Sequence, residues 1–252
     1  MENNKVKEYL TKSVAHLQRI YDEEMDNIRQ AAEVMARHIE NGEIIHLYGP
    51  GGHSGVAAME IFGRAGGIAC INAILDGGTL LTNGCERSMK VERLPGYGRI
   101  VIETYGVKKG ELLILVNAYG INAALIDAAL TAKEIGAEII GVSSIEHAEN
   151  TPPDHPARHP SKKNLHNIVD YHIDTKVPVG DAIIEIEGAP QRTGAISSFA
   201  SGFTLHALGI STIELLAKKG KEVPVLRSGN CVGGDEWNAQ YFEKFQGRIP
   251  FL

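Results

Sequence analysis

Apolar runs of strand length, most of them leading into a helical pattern, restrict this chain more than any other feature. Ile44–Tyr48, Leu112–Val116 and Glu138–Val142 are such runs, and Ile68–Leu75 is another that ends in Asp76-Gly77-Gly78. Helical patterns occupy Gly55–Ala65 and Ala123–Ile135. A run that stays apolar without alternating is buried on both faces, the condition of a parallel sheet. Parallel neighbours need a crossover, and right-handed crossovers place helices against the sheet. The expected class is α/β: a three-layer α-β-α sandwich with a mostly parallel central sheet.

Ahead of the sheet, Val6, Leu10, Val14, Leu17, Tyr21, Met25, Ile28, Ala32, Met35 and Ile39 recur every three or four residues. The spacing predicts a long helix over Val6–Ile39, with Asp22–Asp26 the place where it would bend or divide. Asn41-Gly42 supplies the stop. Residues 1–41 thus form an N-terminal helical segment and 42–252 an α/β core. Thr79–Lys109 is ambiguous, with a turn at Leu94-Pro95-Gly96 and a short helix near Arg99–Tyr105. Glu146–Pro160 reads as a mobile polar loop rich in His and Pro, after which structure resumes at Leu165–Ile173. Ala182–Glu187 is extended, Thr193–Lys218 a long buried helix, Val223–Leu226 a short strand and Asp235–Phe245 a closing helix. No repeat or linker interrupts this order, so a single domain is expected.

Hydrophobic residues at 43% and charged residues at 22% exclude a disordered chain. A net charge of −6 argues against a nucleic-acid partner. No signal peptide follows Met1, and no clean apolar run reaches the length of a membrane span. Cys70, Cys85 and Cys231 lie far apart without a C-x-x-C pair, as reduced thiols of a cytoplasmic protein would. Cys85 reads as an incidental thiol or a nucleophile.

The first strand runs directly into Gly49-Pro50-Gly51-Gly52-His53-Ser54-Gly55 and then a helix. Glycines let backbone approach a ligand, and a helix start offers free N–H groups and the positive end of a dipole. Gly51, Gly52, His53 and Ser54 are therefore candidates to hold an anion. Gly49, Gly51 and Gly55, with Asp76 ending the second strand, also fit a weak dinucleotide fingerprint. Leu112–Val116 ends in a second polar turn, Asn117-Ala118-Tyr119-Gly120-Ile121-Asn122. Two such turns at strand ends suit a ligand held at a topological switch point.

The stretch Gly106–Val116, the turn, Ala123–Ala132 and Gly136–Ser144 resemble the core of SIS (sugar isomerase) domains. Gly49–Ser54 stands where that family has its first Gly/Ser turn. The long first helix resembles the subgroup of phosphoheptose isomerases and N-acetylmuramic acid 6-phosphate etherases. His159–Leu165, Val177–Ala182, Glu185–Gly188, Gly233–Asn238 and Gly247–Pro250 resemble the bacterial UPF0309 proteins nearly end to end. The resemblance implies a flavodoxin/Rossmann-like SIS fold and binding of a small sugar phosphate, with no cofactor. The family's second turn has the form S-x-S-G-x-T, whereas Asn117, Tyr119 and Asn122 occupy those places here.

An aldose–ketose isomerase needs a base beside the carbonyl and an acid for the oxygen. Glu60 and Arg64 lie one turn apart after the first turn, as a pocket-edge base and ligand cation or as a surface ion pair. His53 is a proton shuttle, an anion donor or a structural His. His206 is a buried core residue or, by the resemblance, a group reaching a neighbouring subunit's site. Thr193, Ser197 and Ser201 recur every four residues as one polar helix edge, and the first two are candidate ligand contacts. His147, His155, His159 and His166 invite a metal reading, but the loop's prolines oppose the helix that would align them, and no metal is implied.

The expectation is a phosphosugar isomerase, with a non-catalytic sugar phosphate sensor and an amino-sugar phosphate lyase or etherase as alternatives. A homodimer or larger assembly is expected from the apolar faces of the first helix and the Thr193 helix.

Overall fold

The computed structural model describes residues 4–252. Helix α1 (Lys5–Glu40) leads to β1 (Ile45–Tyr48), α2 (Gly52–Ile61) and β2 (Ile71–Ile74). Two short helices, α3 (Cys85–Glu92) and α4 (Tyr97–Thr104), fill the ambiguous region. Then come β3 (Leu112–Val116), α5 (Ala123–Ile135), β4 (Glu138–Ser143), α6 (Ile145–Asn150) and β5 (Tyr171–Asp174). A hairpin of β6 (Ala182–Ile184) and β7 (Thr193–Ala195) precedes α7 (Ser197–Lys218) and α8 (Gly234–Phe245).

The five main strands are all parallel, in the order β2-β1-β3-β4-β5. Successive side chains point to opposite faces, so each apolar run supplies two cores at once. Leu112, Ile114 and Val116 pack with α1, α2, α7 and α8, whereas Leu113 and Leu115 pack with α4 and α5. Strand order reverses between β1 and β3, which makes the crevice beyond their carboxyl ends the switch point. Gly49–Ser54 and Asn117–Asn122 are the two turns that flank it.

Several expectations need correction. Helix α1 is unbroken through Asp22–Asp26, because Glu24 is buried there and tied to Lys176 at 2.6 Å and to the Asp174 amide at 3.2 Å. Helix α2 starts at Gly52, inside the glycine turn, and stops at Ile61, before Gly63 and Gly66 take positive φ. Among the described residues, Val223–Leu226 makes only one bridge, from Val225 to Ile68. The His-rich loop is tied down: Arg158 donates to the carbonyls of Ala148, Thr151 and Pro152 and to Asn164.

Thr193 is not on a helix. It pairs with Ile184 in the exposed hairpin, and α7 begins only at Ser197, so Thr193, Ser197 and Ser201 form no common helix edge. Nor is α7 buried all round. It is long and apolar enough to cross a membrane, with a mean hydropathy of 1.3 over its most apolar window, as core helices also are. Ser197, Ser201, Thr204 and Thr212 lie on its buried side with Leu205 and Leu208, while Phe199 is 54% and Ile210 65% exposed on the other.

Candidate functional site

Gly49 is required by its own turn, since a Cβ there would strike the Ser54 carbonyl. Gly51 takes φ 108, a conformation that L side chains rarely adopt. The other glycines have a different cause. Leu81 packs into the space above Gly52, Leu80 into that above Gly55, and the Glu92 carboxylate lies 2.5 Å from where a Cβ on Gly51 would sit. The turn is glycine-rich partly because the segment from Leu80 to Glu92 packs on it.

The second turn is built on Asn117, which is 4% exposed. Its Oδ1 accepts from the amides of Tyr119 and Gly120, both at 3.0 Å. Its Nδ2 donates to the Pro50 carbonyl at 2.9 Å and to Ser54 Oγ at 3.2 Å. Asn117 thereby couples the two turns. Tyr119 stacks on His147, with ring centroids 3.7 Å apart. Asn122 caps α5 in backbone geometry only: its side chain makes no cap bond, and its Oδ1 is buried without a partner.

These residues enclose a cavity of about 180 Å³ lined by Gly51, Gly52, His53, Ser54, Asn117, Tyr119, Asn122 and Ser197, and by Leu81, Cys85, Ser88, Met89, Glu92, Ala118 and Asp181. Helices α2 and α5 both start at its wall with no side-chain cap, so their first-turn amides have no helical acceptor. The start of α7 is occupied: Asp181 Oδ1 accepts from the amides of Ile196 and Ser197, and Oδ2 from Ser197 Oγ at 2.7 Å. Asp181 holds this post at φ 64.

Glu92 is the residue that the sequence reading missed. It is half-buried at the end of α3, and burial pushes its carboxyl up to about 7 from the usual 4.5. Arg93 and Asn122 pull the other way more weakly. Burial also raises the Tyr119 phenol and lowers His147.

The remaining candidates divide between the cavity mouth and the outside of the fold. His53 is exposed at the cavity mouth. Glu60 pairs with His206 at 3.3 Å and with Arg64 at 3.2 Å, on the outer face where α2 meets α7. None of those three lines the cavity, and eight residues of helix put Glu60 about 12 Å along α2 from Gly52. Thr193 is also outside it. Asp76 is engaged by the Tyr97 hydroxyl at 3.0 Å and by the Thr79 amide at 3.0 Å, which takes the acid that a dinucleotide ribose would need. The loop histidines have separate partners: Thr151 for His147, Asp127 for His159 and Glu149 for His166.

The SIS domain family profile matches residues 8–144. The UPF0309 protein of Oceanobacillus iheyensis is 36% identical over 98% of this chain and 99% of its own length. That of Streptomyces coelicolor is 31% identical over 96% and 95%. Among solved structures, a phosphoheptose isomerase from Francisella tularensis aligns over 85% of this chain and 99% of that one, at 15% identity and a TM-score of 0.55. The NanR protein of Vibrio vulnificus, solved with ManNAc-6P, aligns over 100% and 71%, at 13% identity and a TM-score of 0.50. Likeness at that identity speaks for the fold. The sequence matches go further: this chain belongs to the UPF0309 family of SIS-domain proteins.

Proposed function

We propose that this protein is a cytoplasmic phosphosugar isomerase, one SIS unit over residues 1–252, that holds a sugar phosphate between its two turns. The observation that carries this reading is the cavity at the switch point, where two uncapped helix starts meet a buried acceptor with no partner. The amides of Gly52, His53 and Ser54 suit the phosphate, which needs donors and a positive dipole end more than a cation. Ser54 Oγ adds a hydroxyl donor, and Asn117 stands where the family has its first Ser. Asn122 and Tyr119 then face the sugar, since their polar groups suit hydroxyls better than a dianion.

The test is a thermal-shift series with sugar phosphates, free sugars, inorganic phosphate and NADPH on wild type and Ser54→Ala. Sugar phosphates are expected to stabilise wild type, and the variant by about tenfold weaker binding, the loss of one charged hydrogen bond. Stabilisation by NADPH alone sinks the reading. Binding without turnover of any sugar phosphate would leave a sensor.

The Glu60–His206 pair has a place in this reading through a second copy of the chain. Val56 and Met59 on α2 are 42% and 41% exposed, and Phe199 and Ile210 on α7 are 54% and 65% exposed. Exposed apolar side chains on the two helices that carry the pair suit an interface between copies of the chain. Sedimentation is expected to give a dimer or larger assembly, and Ile210→Glu to shift it toward monomer. A wild type that stays monomeric at micromolar concentration sinks the assembly.

A further inference from the structure

Glu92 belongs to neither turn yet faces both. Its carboxylate lies against Gly51 at the start of α2, and its polar neighbour is Asn122 at the start of α5. The segment that carries it is held together as a unit. Ser88 Oγ donates to the Thr79 carbonyl at 2.6 Å, and Arg87 donates to the carbonyls of Gly77 and Gly78 at 3.0 and 3.1 Å. Leu80 and Leu81 seat that unit on Gly55 and Gly52, so the glycine turn itself sets where the carboxyl stands.

The cavity lining contains no Lys or Arg. Its titratable groups besides Glu92 are His53, Cys85, Tyr119 and Asp181, with Arg93 adjacent in sequence. Asp181 is consumed by the start of α7. Glu92 is the other carboxyl of the cavity: among the described residues it has no ion pair and no backbone donor, and the Asn122 side chain is its polar partner.

We propose that Glu92 is the acid–base residue of this site, an assignment that rests on the sugar phosphate reading. With the phosphate on the start of α2, the carboxylate takes the proton from C2 of an aldose. The C–H electron pair becomes the C1–C2 double bond, and the carbonyl pair moves onto the C1 oxygen. The same carboxyl returns the proton to C1. The C2 hydroxyl proton passes to the C1 oxygen, the C2 carbonyl forms, and the ketose results with all atoms retained. A carboxyl that burial brings near neutrality is suited to both directions of this transfer.

The experiment is solvent-deuterium exchange followed by NMR on pentose, hexose and heptose phosphates, with wild type, Glu92→Gln and Glu92→Asp. Thermal shifts with the same sugars run alongside. Wild type is expected to exchange at C1 or C2, with a rate that rises with pH and levels off above about 7. Glu92→Gln is expected to exchange about a thousandfold slower while its ligand-induced thermal shift is retained, and Glu92→Asp to recover part of the rate. Exchange by Glu92→Gln at the wild-type rate overturns the assignment. So does a wild type that binds sugar phosphates and exchanges none. A wild type stabilised by no sugar phosphate overturns the sugar phosphate reading itself, and the assignment with it.

Discussion

Asn117→Ala is expected to uncouple the two turns, lowering stability by about 2–4 kcal/mol and sugar phosphate affinity by about a hundredfold. The side chain is 4% exposed and serves four partners, three of them backbone groups. Truncation removes the partner of the Tyr119 and Gly120 amides and of the Pro50 carbonyl, each loss about 1 kcal/mol because the adjoining cavity lets water reach part of this wall. It also frees Ser54 from the bond that aims its hydroxyl. Asn117→Asp separates the two effects. A carboxylate still accepts from both amides, so that part of the stability stays, but it cannot donate to Pro50 and it brings negative charge to a buried wall meant for phosphate. Urea unfolding and calorimetric titration with the best sugar phosphate give both quantities. Affinity of Asn117→Ala within threefold of wild type would show that the turns act separately.

The strands and both turns were readable because their cause is local. Leu112–Val116 is apolar at every position, and only burial on both faces explains that; Gly49–Ser54 carries its glycines in one run. What escaped depends on residues distant in sequence. Helix α3 is polar along most of its length, with Ser88 its buried residue, so no periodicity marks it. Its position comes from Leu80 and Leu81 seating on glycines some thirty residues earlier. One trace was present: the turn holds more glycine than its backbone needs, which implies that something packs on it as well as a ligand. The helix expected from Thr193 starts later, as α7, for a similar reason. Apolarity continues across Gly194 to Ile196, and the start at Ser197 is set by Asp181, sixteen residues upstream. Asp76 shows the converse, a residue in the right place for ribose whose carboxylate goes to Tyr97.

Glu92→Gln is expected to stabilise the protein at pH 8 by about 2 kcal/mol and to leave it nearly unchanged at pH 4. The carboxyl titrates near 4.5 when unfolded and near 7 when folded, so the fold favours its neutral form. That contribution is fully present below pH 4.5 and is lost as pH rises through 7. The full difference corresponds to about 3 kcal/mol, reduced here because the side chain is only half-buried. Glutamine keeps the neutral shape at every pH, so its advantage appears only where wild type carries the charge. Chemical denaturation from pH 4 to 8.5 measures this directly, and an offset between the two proteins that does not vary with pH contradicts it. An offset that grows with pH, in a variant that has lost exchange, would mean that the site keeps a destabilising carboxylate because proton transfer needs it.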